Sequence, residues 1–139
     1  MKHALMLIAL LLLAVPAFAD SRPLMPKPIQ FAVGKSSGKV AGGVIRGDRD
    51  VYSLDARAGQ KMTVTLSSVE SNAVFQIYAP GAKATRGDDG IVEFSGKMLP
   101  GADGDTTNWS GRLPANGAYL IEVGGTRGNA TYELTVSIE

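Results

Sequence analysis

Hydrophobic and polar residues alternate along much of the chain beyond residue 40. Near the end of the sequence, Tyr132, Leu134 and Val136 alternate with polar residues, and the same period of two recurs in earlier segments. This period places successive side chains on opposite faces of a β-strand that has one buried face. No segment beyond residue 20 sustains the period of 3.6 residues that is typical of an amphipathic helix. The pattern therefore predicts an all-β domain.

Turn-forming residues divide this pattern into short strands. Turns are predicted at residues 58–60, 80–81, 114–117 and 124–129, which are rich in glycine, proline and asparagine. The predicted strands lie at residues 40–45, 52–56, 61–67, 74–78, 91–94, 109–113, 119–123 and 131–138. About seven or eight short strands separated by such turns are typical of a β-sandwich. We therefore expect one sandwich domain over residues 36–139.

Two segments interrupt the alternation. Residues 20–35 contain Pro23, Pro26 and Pro28, which predicts an extended lead-in that does not pack against the domain. Residues 82–108 are rich in glycine and aspartate, and only a short stretch at 91–94 resembles a strand. We predict a long loop with one short strand inside it, and such loops are usually functional or mobile.

Residues 1–19 have the composition of an export signal. Lys2 and His3 provide a basic start, an apolar run follows, and residues 17–19 form a small-residue cleavage site. The apolar run is shorter than the roughly 20 residues that a membrane span requires, which argues against a membrane anchor. We expect cleavage before Asp20 and a periplasmic or secreted protein.

The composition excludes most catalytic chemistry. The chain has no cysteine and one histidine, and this is His3, which signal cleavage would remove. Without an imidazole or a thiol, the protein cannot form a Ser-His-Asp triad, a Cys-His pair or a histidine-ligated zinc site. The sequence therefore predicts a protein that is not an enzyme and that needs no cofactor.

The charge balance disfavours a further class of partners. The chain has 14 Lys plus Arg and 13 Asp plus Glu, and the loss of Lys2 would leave it neutral. A neutral protein gains little from counterion release, so neither nucleic acid nor an anionic lipid surface is expected as a partner.

Pairs of aspartates raise the alternative of calcium binding. They are Asp48 with Asp50, Asp88 with Asp89, and Asp103 with Asp105. Carboxylates on loops could hold calcium through their oxygens, but aspartate in turns needs no metal to explain it. We assign no metal ligand, and a calcium-stabilised accessory domain remains an alternative.

The sequence predicts different environments for two aromatic residues, Trp109 and Tyr78. Trp109 shares a strand face with Gly111 and Leu113, which predicts packing in the core. Tyr78 precedes a proline-glycine turn, and we expect it to be partly exposed. Because an exposed tyrosine beside a glycine-rich loop could contact a sugar polymer, a carbohydrate or cell-envelope polymer-binding module is a second alternative.

Several stretches of the chain resemble the bacterial pre-peptidase C-terminal domain. They are Gly47–Tyr52, Ala58–Gln60, Leu113–Val123 and Ala130–Val136. The resemblance extends over nearly all of the chain from about Ser36. It implies a small, jelly-roll-like antiparallel β-sandwich, a fold that is usually appended to secreted peptidases.

As a free-standing domain behind a signal peptide, the chain is also similar to the periplasmic inhibitors of g-type lysozyme. In that family a Ser-Gly-x-Tyr loop is associated with plugging the lysozyme cleft. The matching positions here are Asn116, Gly117, Ala118 and Tyr119, with asparagine in place of serine, and Arg127 matches a Thr-Arg step before the last strand. The resemblance implies an inhibitor that occludes the cleft with this loop. We expect Arg112 or Arg127 to lie near the loop and to reach the carboxylates of the enzyme.

Overall fold

Residues 21–139 are described by a computed structural model and consist almost entirely of β-structure. The strands are β1 (Arg22–Pro23), β2 (Lys27–Pro28), β3 (Ser37–Val44), β4 (Arg49–Ala56), β5 (Lys61–Ser68), β6 (Ala73–Tyr78), β7 (Lys83–Arg86), β8 (Val92–Ser95), β9 (Asn108–Arg112), β10 (Gly117–Gly125) and β11 (Ala130–Ile138). A single 3-10 turn at Val69–Ser71 joins β5 to β6. The predicted all-β fold is confirmed. The expected signal peptide, residues 1–19, lies outside the described residues.

Two four-stranded sheets face each other and form a sandwich. One sheet has the strand order β2-β4-β10-β6, and the other has the order β3-β11-β5-β9. Neighbouring strands are antiparallel except that β2 runs parallel to β4. The predicted antiparallel β-sandwich is therefore confirmed. Within residues 21–139, no helix has the length and apolar character of a membrane span.

The alternation along the strands produces one main core between the sheets. On β11, Tyr132, Leu134 and Val136 are buried, while the side chains between them are more exposed. Trp109 on β9 is half-buried against this core, and its indole Nε1 donates a hydrogen bond to the Pro100 carbonyl at 2.9 Å. The period of two thus identified the inward face of both strands.

The short strand predicted at 91–94 is present as β8, but the rest of residues 82–108 is more ordered than the predicted long loop. Strands β7 and β8 form an antiparallel hairpin, and β1 pairs with the other edge of β7. Leu99 and Ala102, further along the segment, are buried in the main core. The hairpin covers the outer face of β10 and β6 through a second apolar cluster that includes Leu120 and Tyr78. Because β10 is buried on both faces, its apolar residues run consecutively instead of alternating.

The proline-rich lead-in packs against the sandwich, contrary to the prediction. Its strand β2 extends the edge of β4, and the Ile29 N–H donates to the Ser53 carbonyl at 2.8 Å. Ile29 is buried in the main core, and Phe31 packs against it. Proline is compatible with this place because an edge strand has one side without ladder partners. The boundary between lead-in and domain at residue 36 stays a prediction.

Candidate partner-binding site

The predicted site residues divide between the two ends of the sandwich. Strand β10 runs from Gly117 to Gly125, so the loop before it and the loop after it lie at opposite ends of the strand. These ends are roughly 26 Å apart at about 3.3 Å per residue. The Asn116 end comprises the turn 32–35 and the loops 57–60 and 113–116. The Arg127 end comprises the loops 45–48, 69–72 and 126–129.

The expectation that Arg112 and Arg127 lie near the same loop is wrong for Arg127. Arg112 is the last residue of β9, pairs with Lys61, and donates from Nη1 to the Gly59 carbonyl at 2.9 Å. It therefore belongs to the Asn116 end. Arg127 is close to that loop in sequence, but an extended strand separates the two in space.

Hydrogen bonds to the neighbouring loop 57–60 hold the loop 113–116 in place. Asn116 Oδ1 accepts a hydrogen bond from the Ala58 N–H at 2.8 Å. The Leu113 carbonyl accepts from the Gly59 N–H, and the Leu113 N–H donates to the Gln60 carbonyl, both at 2.8 Å. Although Asn116 is exposed, its side-chain carbonyl therefore has a structural role. Two adjacent loops form one rigid unit.

Tyr119 supports the loop from beneath and has no surface for a partner. Its side chain is fully buried, and its hydroxyl donates to the Ala115 carbonyl at 2.7 Å and accepts from the Ala115 N–H at 3.2 Å. Gly117 has a φ of +137°, and a Cβ at this position would lie 2.9 Å from Pro80 Cβ. These two residues shape the loop, and the exposed residues above them form its surface.

Cationic side chains predominate at the Asn116 end. The exposed cationic residues are Lys35, Arg57, Lys61 and Arg112, and the exposed acidic residues close to them are Asp55 and Glu139. The ion pairs within residues 21–139 involve other side chains. These cations are therefore free to attract carboxylates on another molecule.

An apolar recess opens beside the loop, and the sequence did not predict it. The recess has a volume of about 540 Å³, and its apolar lining comes mainly from Phe31, Ala56 and Ile138. Ala56 and Ile138 belong to opposite sheets, so the recess lies where the core opens at this end. A sequence signal was available, because Ile29, Phe31 and Val33 follow a period of two.

Hydrogen bonds tie together the three loops of the Arg127 end. Asn129 Oδ1 accepts from the Arg46 N–H, and the Asn129 carbonyl accepts from Asn72 Nδ2, both at 2.8 Å. Arg127 Nη2 donates to the Glu70 carbonyl at 2.7 Å. Glu70 has a φ of 62°, a conformation that is unfavourable for a residue other than glycine. The Arg127 guanidinium therefore stabilises a strained turn.

Buried hydroxyl groups connect the two sheets near the Arg127 end. The Tyr132 hydroxyl donates to Asp50 Oδ2 at 2.5 Å and lies 2.6 Å from the Tyr52 hydroxyl. Burial, followed by the hydrogen bond to Asp50, raises the pKa of Tyr132 above the ordinary tyrosine value. Glycine is needed at residue 42, because a Cβ there would lie 2.5 Å from the Tyr132 hydroxyl.

The aspartate pairs considered for calcium do not converge on one point. Asp48 Oδ1 forms an ion pair with Arg86 at 3.0 Å. Asp50 accepts the tyrosine hydrogen bond and lies 4.0 Å from Lys27 Nζ. Asp89 accepts a hydrogen bond from the backbone of its own turn. In the described part of the chain, no three acidic, histidine or cysteine side chains group together as metal ligands.

Tyr78 is buried, so the prediction that it is partly exposed is wrong. Only 4% of the residue is accessible, and its ring stacks on Phe94 with the centroids 5.0 Å apart. Its hydroxyl donates to Glu122 Oε2 at 3.1 Å, and Glu122 Oε1 accepts from Arg49 Nε at 3.0 Å. Burial, followed by the charge of Glu122, raises the pKa of Tyr78. Tyr78 therefore offers no exposed ring to a sugar polymer.

Comparison with known proteins gives matches among solved structures. A scan of protein-family models finds no match, and neither does a search of curated proteins. One match is PliG from Aeromonas hydrophila, a periplasmic lysozyme inhibitor of g-type lysozyme, whose sequence is 35% identical to this chain. The two structures superpose with a TM-score of 0.61, and the match covers 82% of this chain and 96% of the PliG chain.

Two further structures have the same fold. A mutant of PliG-Ec, a periplasmic lysozyme inhibitor of g-type lysozyme from Escherichia coli, is 23% identical, with a TM-score of 0.55 over 82% of this chain and 97% of that chain. PliG from Salmonella Typhimurium is 22% identical, with a TM-score of 0.55 over 83% of this chain and all of that chain. At these identities the likeness establishes the fold alone.

Proposed function

The chain belongs to the PliG family of periplasmic inhibitors of g-type lysozyme, and we propose that it blocks the cleft of such an enzyme with the loop at its Asn116 end. It is a periplasmic inhibitor and not an enzyme. Asn116 and Arg112 contact the lysozyme, while Gly117 and Tyr119 set the shape of the loop. Arg127 lies outside this contact surface.

The rigidity of the loop 113–116 carries this proposal. The loop is fixed by the Asn116 hydrogen bond to Ala58, by the backbone pairing of Leu113 and by the two hydrogen bonds of the Tyr119 hydroxyl. A segment that is already ordered loses little conformational entropy when it enters a cleft. The loop can therefore occupy the cleft with little loss of conformational entropy.

The local charge also supports the Asn116 end as the surface that contacts the lysozyme. Glycoside hydrolases carry paired carboxyl groups at the site of bond cleavage. Within residues 21–139, Arg112 uses only Nη1 in a hydrogen bond, so its other N–H donors can bind a carboxylate in a charge-assisted pair. Although the mature chain is neutral as a whole, the neighbouring Arg57 and Lys61 give this end a positive field that favours approach to an acidic cleft.

The Arg112→Ala variant tests the proposal, with Arg127→Ala as its control at the opposite end. The purified mature protein is expected to lower the lytic rate of a g-type lysozyme. Arg112→Ala should raise the inhibition constant by about tenfold to a hundredfold, since a hydrogen bond to a charged group contributes about 1.5–3 kcal/mol. Arg127→Ala should leave it nearly unchanged. The proposal fails if the wild-type protein does not inhibit, or if Arg127→Ala is the more damaging variant.

We also propose that the sandwich is related to the pre-peptidase C-terminal domain. The stretches that resemble that domain fall on the turn before β4 with the start of that strand, on the loop after β4, on the loop before β10 with most of that strand, and on most of β11. This placement supports a shared sandwich fold. No observation favours the sugar-polymer alternative, because the tyrosine that it required is buried.

A further inference from the structure

The turn 32–35 presents an exposed apolar side chain at the Asn116 end. Val33 is fully exposed to solvent, whereas Phe31, two residues earlier, lines the apolar recess beside Gly117. Ser36, just after the turn, also lines this recess. Val33 therefore lies in the turn that connects two residues of the recess lining, on the same end of the sandwich as the proposed inhibitory loop.

The turn has a defined position, because both of its flanks are anchored. The Lys35 N–H donates to the Ala32 carbonyl at 2.9 Å, which closes the turn. On the far side, the Ser36 carbonyl accepts from the Ile138 N–H at 2.8 Å. On the near side, the Phe31 ring lies against Gly38, where a Cβ would be 2.8 Å from the ring atom Cδ1.

An exposed apolar side chain in a turn that adjoins an apolar recess is suited to protein contact. Binding energy in protein interfaces is concentrated in a few apolar or aromatic anchors surrounded by polar groups. Here Arg57 and the acidic Asp55 line the recess, Lys35 ends the adjoining turn, and all three are exposed. The patch formed by Val33 and the recess therefore fits a protein surface that combines an apolar side chain with carboxylates.

We infer that Val33 and the recess next to it form a second contact with the lysozyme, on the rim of the cleft that the loop 113–116 enters. This inference rests on the proposed function, because it places the same enzyme on the same end of the sandwich. Val33 packs against the rim, and the recess lined by Phe31 accepts an apolar side chain of the enzyme. The cations around the patch match an acidic rim.

The test compares Val33→Asp with Val69→Asp. Val69 lies on the 69–72 loop of the Arg127 end and is 68% exposed, so it is a matched valine on the surface that lysozyme does not contact. Val33→Asp should raise the inhibition constant about tenfold or more, through the loss of an apolar anchor and the repulsion of carboxylates. Val69→Asp should leave the inhibition constant within about twofold of the wild-type value.

Thermal unfolding separates this effect from misfolding, because both valines are exposed and both variants should melt close to the wild-type temperature. The inference is overturned if Val33→Asp inhibits as well as the wild type while Arg112→Ala does not, and in that case the proposed function stands. If Val69→Asp weakens inhibition and Val33→Asp does not, the enzyme contacts the other end and both proposals fail. A wild-type protein without inhibitory activity overturns both as well.

Discussion

The two ends of the sandwich use hydrogen bonds for different purposes. At the Asn116 end, the bonds fix two loops from within and leave cations and an apolar recess open to solvent. At the Arg127 end, the bonds tie three loops to one another, and the Arg127 guanidinium is itself used to support the strained turn at Glu70. The bonds at the first end therefore shape a surface on which cations predominate, whereas those at the second end support a strained turn.

The charge around the two arginines also differs between the ends. Arg112 and Arg127 both donate a hydrogen bond to a backbone carbonyl. Around Arg112 the cations outnumber the acids, but in the loops around Arg127 the acidic Asp48 and Glu70 balance Arg46 and Arg127. The Arg127 end therefore lacks the net positive charge that would attract an acidic cleft.

The largest effect is expected from Tyr119→Ala, which removes the side chain beneath the inhibitory loop. Loss of a fully buried aromatic ring should lower the free energy of unfolding by about 3–5 kcal/mol, as measured by urea denaturation. The loop would also lose both hydrogen bonds at Ala115, so residual inhibition should fall even in variant protein that is folded at the assay temperature. A variant of wild-type stability would show that Tyr119 is not the anchor of this end.

A smaller effect is expected from Tyr132→Phe near the Arg127 end. This variant leaves the Asp50 carboxylate without its hydroxyl donor, which should cost about 1–3 kcal/mol of stability. Because the variant acts far from the Asn116 end, the inhibition constant should not change. Weaker inhibition by folded Tyr132→Phe would contradict the functional division between the two ends.

The pH dependence of stability provides a further check on Tyr132. A tyrosine whose pKa is raised by folding contributes stability that is fully present below its unfolded pKa of about 10 and is lost as the pH rises further. Tyr78 and Tyr132 both have raised pKa values, so the melting temperature should fall above about pH 10. In Tyr132→Phe the fall should be less steep, and an equally steep fall would argue against the buried hydroxyl network.

The sequence predicts the strands of the β3-β11-β5-β9 sheet because each of them has one buried face. On β11 the alternation of Tyr132, Leu134 and Val136 is enough to define the inward face. The same rule fails for Leu120 and Tyr78, because the β1-β7-β8 sheet buries the outer face of their strands. A hairpin of short strands within residues 82–108 is a tertiary effect that composition alone does not reveal.

The candidate site was only partly predictable for a related reason. The turn signal at residues 114–117 locates the loop, and the resemblance to the inhibitor family predicts Asn116 and Gly117 as partner-binding residues. Arg127 was placed wrongly, because closeness in sequence does not imply closeness in space across an extended strand. The recess was missed, because the prolines of the lead-in concealed the period-two pattern of Ile29 and Phe31.

Hydrogen exchange on the inhibitor, alone and bound to a g-type lysozyme, tests the central claim most directly. Binding through the Asn116 end should slow exchange of the backbone amides in the loops 57–60 and 113–117. Exchange in the loops 69–72 and 126–129 should stay the same, because the proposed contact surface does not include that end. Slower exchange confined to the loops 69–72 and 126–129 would contradict the assignment of the inhibitory surface to the Asn116 end.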